Sequence, residues 1–355
     1  MSKLGFPLFL RPEAKLQNAK RLLEHGKARQ GLRQLHTLAT SGNEEAQFVL
    51  GELYLADKDV PINPGEALRW FQKAAEHGHA QACHKLAQLC YMGLGPASVD
   101  RATVFERIPE QGAPDYEGAL HWAEKAVDGG DPDGMAMMAH LLMQGPDTLR
   151  DPERGRELYR RSAEAGNVQG LYGYGLDLLG AAQNAAEREQ GLSCIRKAAQ
   201  AGLADAELTL GTVLEYEGGK DAQAFEHFMK AAEDDRPAAQ MKVGIAYYQG
   251  RGVERDVSKA ETWLRKAAQG GEVEAIALVG DINLQGDGVS PNFPEAHSWY
   301  RRAAESGHAG AAVTLAQLVY NGMGCAADPA EAKRLLHFAA SRGNAAAKEL
   351  LQRFG

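Results

Sequence analysis

Residues Pro64 to Gly95 read PGEALRWFQKAAEHGHAQACHKLAQLCYMGLG. Ala67, Trp70, Phe71, Ala74 and Ala75 recur at intervals of three and four, which predicts one apolar stripe along a helix. A second helical pattern follows, separated from the first by His77-Gly78-His79 and closed by Gly93-Leu94-Gly95. Glycine supplies the left-handed conformation that ends a helix without Cβ strain, so the chain is expected to reverse at each of these points. The stretch is one helix-turn-helix unit.

The unit is copied end to end. The second of the two small residues that follow its aromatic falls at Ala39, Ala75, Val127, Ala163, Ala199, Ala232, Ala268, Ala304 and Ala340. Successive gaps are 36, 52, 36, 36, 33, 36, 36 and 36, hence one insertion of 16 residues and one deletion of 3. A period of about 20 to 50 residues marks a stacked-repeat protein, in which each unit buries its apolar face against its neighbours. The expected fold is all-α, a right-handed α-solenoid (superhelix) of about nine units. Its expected parts are an N-terminal segment and capping helix over 1–27, the solenoid over 28–343 with its insertion at about 97–112, and a C-terminal capping helix over 344–355.

Within the unit, two features predict the packing. Trp70 is read as having counterparts at Trp122, Tyr159, Trp263 and Trp299, and an aromatic returning every turn of the solenoid is expected to be core. The second helix carries Leu50-Gly51, Leu86-Ala87, Leu210-Gly211, Val243-Gly244, Val279-Gly280 or Leu315-Ala316. Glycine inside a helix costs about 1 kcal/mol relative to Ala, so its recurrence requires a close approach by a neighbouring helix. Asp151-Pro152, Asp328-Pro329 and Pro64 are suited to start helices as caps or first-turn residues.

Composition limits the function. Hydrophobic residues make up 44%, aromatics 7% and charged residues 24%, which fits helices packed through Ala and Leu beneath a charged surface. Net charge is −8, with +6 in residues 1–33 and +3 in residues 329–355, leaving −17 between them. An acidic body argues against nucleic acid, whose binding rests on phosphate neutralisation. The apolar run Leu4 to Leu10 is broken by Pro7 and followed by Arg11, too short to span a membrane and lacking a cleavage site. Cytoplasmic localisation and no membrane insertion are therefore expected. Cys83 and Cys90 share a helix about 10 Å apart by helical rise, beyond the roughly 7 Å reach of a disulfide. Cys194 and Cys325 sit in different repeats, and all four read as small thiols.

The pattern LG.xY..G.GV..D..KA..W..KAA..G, matched best by Val243 to Gly271 and Val279 to Gly307, resembles the Sel1-like repeat, a relative of the tetratricopeptide repeat. The resemblance covers the chain from about residue 28 onward. It departs at Met138-Ala139, at Asn283, and at Leu179-Gly180-Ala181, where the Gly-x-Gly-Val loop is missing. It implies a bacterial-type adaptor, scaffold or regulator that holds partner proteins, and not an enzyme.

Similarity to tetratricopeptide proteins further implies that the Leu-Gly helices line a concave face. With Leu50, Leu86, Met138, Tyr174, Leu210, Val243, Val279 and Leu315 turned to the core, positions two before and two or five after them face a groove. The groove residues expected to bind a protein segment are Phe48, Glu52, His84, Gln88, Tyr91, His140, Met143, Tyr172 and Leu176, then Leu208, Thr212, Met241, Ile245, Tyr248, Asp281, Leu284, Gln317 and Tyr320. Such a stripe of Met, Tyr and Leu suits a helix or an extended peptide.

Catalytic signatures are missing: there is no phosphate loop ending in Lys-Ser/Thr, no His-Glu-x-x-His, no Cys-x-x-Cys and no Gly-x-Ser-x-Gly. His77, His79, Cys83 and His84 form the one metal-like grouping, and a hydrolase reading rests on them alone. Structural zinc takes four convergent ligands, whereas His77 and His79 belong to a turn and His84 to the groove, so no metal and no cofactor are expected. The expectation is a monomeric, non-catalytic interaction scaffold with a protein or peptide in its groove. The alternative is a regulator or immunity-type inhibitor in a bacterial secretion, signalling or exopolysaccharide system, in which the same groove occludes an enzyme or toxin.

Overall fold

The computed structural model describes residues 12–56, 60–95, 112–286 and 290–354. Among the described residues there are nineteen α-helices and no strand. They are α1 Pro12–Glu24, α2 Ala28–Thr40, α3 Glu44–Leu55, α4 Pro64–Glu76, α5 Ala80–Tyr91, α6 Tyr116–Asp128 and α7 Pro132–Gln144. The series continues with α8 Pro152–Glu164, α9 Val168–Ala181, α10 Ala185–Gln200, α11 Ala204–Glu217, α12 Asp221–Glu233 and α13 Pro237–Gln249. It ends with α14 Val257–Gln269, α15 Val273–Gln285, α16 Phe293–Glu305, α17 Ala309–Asn321, α18 Pro329–Ser341 and α19 Ala345–Phe354. Even-numbered helices from α2 to α18 carry the paired small residues, and odd-numbered ones from α3 to α17 are the Leu-Gly helices. The fold is an α-solenoid of stacked helix pairs, and its contacts divide it into two compact units, Met1–Cys194 and Ile195–Gly355.

Local chemistry sets the boundaries. Asn63, Asp115, Asp151, Asp256, Asn292 and Asp328 each cap an even-numbered helix by accepting a backbone N–H three residues on. At the far end of these helices a glycine with positive φ reverses the chain, as at Gly78 and Gly307. In one unit Asp235 takes that place at φ 53, the only described non-glycine residue with positive φ.

The Leu-Gly pairs pack as their spacing predicts. Leu50, Leu86, Met138, Val243, Val279 and Leu315 are fully buried and Leu210 nearly so, while Tyr174 is half-buried. The glycine after the leucine is where the following helix seats a bulky side chain. A Cβ on Gly211 would lie 2.6 Å from the Phe228 ring, one on Gly244 2.6 Å from Leu264 Cγ, and one on Gly51 would overlap the Phe71 ring. The cost of glycine in a helix is offset by the ring or branched chain that occupies its place.

The aromatic register differs from the expectation. Trp70, Trp122, Trp263 and Trp299 are mutually equivalent, but Tyr159 stands one residue later, in the register of Phe71, Phe228 and Tyr300. The later position is sealed in the core, with Phe71, Phe228 and Tyr300 at most 3% exposed, and of the tryptophans Trp70 is core as expected, at 6%. Trp122, Trp263 and Trp299 are only half-buried, and each has a cation three residues on lying over its ring. Lys125 sits 4.4 Å from the Trp122 centroid and Lys266 4.3 Å from that of Trp263. These three tryptophans therefore close the edge of the core under a lid of charge.

The 97–112 insertion lies outside the described residues apart from Gly112, as do residues 1–11. The inter-unit loops are held down where they are described. Gly252 and Gly324 approach the backbones of Asp221 and Phe293, at the start of α12 and α16, so closely that a Cβ would overlap the carbonyl.

Candidate functional site

Successive Leu-Gly helices carry side chains that the core does not consume. In Met1–Cys194 these helices touch one another directly, α5 on α7 and α7 on α9. Phe48 stacks on His79 with centroids 4.7 Å apart, and Glu52 pairs with Lys85 across α3 and α5 at 3.1 Å. Tyr91 brings its hydroxyl to 3.1 Å from His140 Nε2 and meets the Tyr116 ring edge-on. Met143 and Tyr172 are half-buried, whereas Gln88 and Leu176 are exposed.

Burial sets the electrostatics of this row. It holds His84 and His140 below the ordinary imidazole range, so both rings stay neutral. His84 Nδ1 is buried with no hydrogen-bond partner in the structure. Burial also pushes the Tyr159 hydroxyl up to about 12, with Tyr172 and Tyr91 adding to the shift. The result is an aromatic and imidazole surface on which the Glu52–Lys85 pair and the carboxylates of Asp131 and Asp133 act at His84.

In Ile195–Gly355 the row has another character. Leu208, Met241, Ile245, Tyr248 and Leu284 are half-buried against the core, and Thr212, Gln317 and Tyr320 are exposed. Tyr248 donates to Gln285 at 2.7 Å, joining α13 to α15. Asp281 turns toward the next helix, where it accepts the Tyr300 hydroxyl at 2.5 Å, and burial raises its pKa. Leu284, Gln317 and Tyr320 come together in one cleft of about 470 Å³, completed by Thr314, Leu318, Asn321, Met323 and Leu350. Met323 and Leu350 were not legible from the repeat spacing, because they come from a loop and from α19.

Three members of the metal-like grouping, His77, His79 and Cys83, take structural places. His77 Nδ1 lies 2.8 Å from the Lys73 carbonyl, and Cys83 is a buried free thiol. His79 Nδ1 accepts the Ala82 N–H as the cap of α5, while Nε2 faces Glu45 at 3.1 Å. His308 repeats the arrangement with Ala311 and Glu274. No group of His, Cys, Asp and Glu among the described residues could hold a metal ion, and none of the described helices is long and apolar enough to cross a membrane.

This architecture has known relatives. Residues 44–79, 80–102, 110–131, 132–167, 237–272, 273–308 and 310–344 match the Sel1 repeat, and residues 168–236 between them keep the same helix pairs. An uncharacterized protein of Neisseria meningitidis serogroup B is 28% identical over 247 residues, which is 63% of this chain and 50% of that protein. The chitin synthase regulator SKT5 of Saccharomyces cerevisiae is 24% identical over 271 residues, 66% of this chain and 39% of the regulator. The chain thus spans half or less of the length of these curated relatives. Among solved structures, a protective antigen of uropathogenic Escherichia coli with an SLR fold superposes with a TM-score of 0.64 at 25% identity, over 90% of this chain and 66% of that one. A Sel1 repeat protein from Oxalobacter formigenes superposes with a TM-score of 0.59 at 23% identity, over 100% and 97%. With matched units running from Glu44 to Asn344 over more than half of its residues, the chain belongs to the Sel1 repeat family.

Proposed function

We propose that this protein is a non-catalytic interaction scaffold that holds a segment of a partner protein along its row of Leu-Gly helices. The observation that carries the reading is the incomplete burial of that row. In the first unit Leu176 remains 40% exposed on a row with half-buried Tyr91, Met143 and Tyr172, and in the second Tyr320 remains 41% exposed on a row with half-buried Met241 and Tyr248, although Leu86, Met138, Val243 and Leu315 of these helices are sealed in the core. Apolar and aromatic side chains spaced along parallel helices offer anchor sites at regular intervals, the arrangement by which repeat proteins hold extended partners. The one reported relative named as a regulator makes occlusion of a partner enzyme a second outcome of the same contact, separated from simple scaffolding by whether partner activity falls on binding.

The test is affinity capture with the wild type beside two variants, Tyr172→Ala/Leu176→Ala and Met241→Ala/Tyr248→Ala, each checked for helicity. A protein captured by the wild type and lost from either variant supports the reading. One captured equally by all three moves the contact off the row.

A further inference from the structure

We infer that the groove between α16 and α18 is a binding site for an indole ring, which takes the place that a tryptophan of the chain itself takes one unit earlier. The site lies on even-numbered helices and is independent of the Leu-Gly row.

The preceding groove, between α14 and α16, shows how such a ring is held. The Arg265 guanidinium lies over the Trp299 ring, 4.9 Å from its centroid, and the indole N–H donates to Glu295 Oε1 at 2.9 Å. Arg265 donates to the same oxygen at 3.0 Å, so one carboxylate positions both the cation and the ring. A second cation, Arg302, lies 5.5 Å from the centroid.

One period of 36 residues later the holders return and the ring does not. Arg301 stands for Arg265 and Glu331 for Glu295, joined in the same way at 2.7 Å, whereas Leu335 stands for Trp299. With Leu in that place a cleft of about 360 Å³ lies open, lined by Ala304, Leu315, Leu335 and Phe338 together with Arg301 and Glu331. Its volume falls within the range of about 300–1,000 Å³ typical of ligand pockets. Phe338 replaces Arg302 and adds an aromatic wall. Glu305 and Arg334 complete the lining, so two carboxylates face two guanidiniums and the cleft has no net charge, which suits a neutral ring. An indole seated there finds a cation for its face in Arg301 and an acceptor for its N–H in Glu331. The bond from Arg301 leaves that acceptor usable, because Glu295 accepts from Arg265 and Trp299 at once.

The inference is tested by methyl NMR of the full chain, following Leu315 and Leu335 while a ring is titrated in. The probes are indole, benzofuran, which has the same shape with oxygen in place of the N–H, and N-acetyl-tryptophanamide, which presents the ring as a peptide does. Leu335→Trp restores the chain's own ring, and circular dichroism confirms that this variant is helical. The expected result is a ring-current shift of both leucines that saturates with an indole Kd of about 1 mM or tighter. Benzofuran is expected to bind at least about tenfold more weakly, for want of a donor to Glu331, and Leu335→Trp to abolish the indole shift at Leu315. No saturable shift near millimolar indole, equal affinity for indole and benzofuran, or an indole shift that persists in Leu335→Trp overturns the inference. The second and first of these are read on the unaltered chain and do not depend on the variant. N-acetyl-tryptophanamide separates the sources of the ring: binding as tight as indole's supports the site with a Trp of a partner chain as its ligand, and weaker binding supports it with a small indole compound.

Discussion

His308 Nε2 lies 2.9 Å from the carboxylate of Glu274, which is 34 residues earlier, one unit back along the solenoid. The same offset joins His79 to Glu45 and Asn167 to Asp133, and Arg236 reaches Asp205 across the unit shortened by three residues. In each case the residue preceding a Leu-Gly helix bonds the acidic residue near the start of the previous one. His79, Asn167 and His308 also cap their own helices, so a single side chain both ends one helix and ties it to its neighbour.

Removal of such a residue costs a cap and a tie together. His308→Ala is expected to destabilise by about 1–2 kcal/mol, the usual loss for a side-chain cap, whereas His308→Asn is expected to be nearly neutral. Asn167 shows why, since its amide makes both contacts, accepting from Gly170 at 2.8 Å and donating to Asp133 at 2.6 Å. Hydrogen exchange of the α17 amides gives the local reading that a global melt of a repeat protein would blur. Equal protection in both variants would refute the dual role.

The glycine seats predict a paired rescue. Gly211→Ala places a Cβ 2.6 Å from the Phe228 ring and is expected to cost about 1–3 kcal/mol through overpacking. Adding Phe228→Leu should recover part of that loss, because the equivalent positions of the last unit hold Ala316 and Leu336, both buried. Urea titration of the single and double variants measures the coupling, and strict additivity would show that the two positions do not oppose each other.

Asp235 holds a left-handed turn that glycine holds in the equivalent units. Asp235→Gly is expected to relieve up to about 1 kcal/mol of backbone strain, less whatever its contact from Gln240 Nε2 at 3.2 Å contributes. A drop in thermal midpoint would show that this side-chain contact outweighs the strain.

Acid should weaken the first compact unit. Because the folded chain keeps His84 and His140 neutral by burial, the unfolded chain binds more protons as pH falls through the ordinary imidazole value of 6.5. Stability from these groups is present above that range and is lost below it. His84→Leu removes a buried, unpartnered ring nitrogen and should flatten the loss between about pH 7.5 and 5.5 without lowering stability at the upper end. An unchanged pH slope in this variant would assign the effect elsewhere.

Much of this was legible in the sequence, for a physical reason. A period of 36 residues repeats the core as well as the chain, so Leu50 or Val279 could be placed by counting. Counting also grouped Tyr159 with the tryptophans, because adjacent aromatic positions on one helix face differ by a single residue in spacing. Only three-dimensional packing separates the sealed Phe71 register from the half-exposed Trp263 register beneath its lysine. The row of site residues was deduced from helical geometry, but its division into an aromatic-imidazole surface near Tyr91 and a cleft near Tyr320 was not. That division depends on what Tyr116, Met323 and Leu350 bring from outside the repeat pattern. The ties at an offset of 34 were overlooked because His, Asn and Arg serve the same position and conceal it from a search for identical residues.

The central claim, that partners bind along the Leu-Gly helices, is tested most directly by site-specific photocross-linking in cells. A photoreactive residue is placed singly at Leu176, Thr212 and Gln317 on Leu-Gly helices, and at Thr262 and Ser298 on the exposed face of α14 and α16. The account predicts that one partner protein is cross-linked from the first group and not from the second. Cross-linking confined to Thr262 and Ser298 would contradict it.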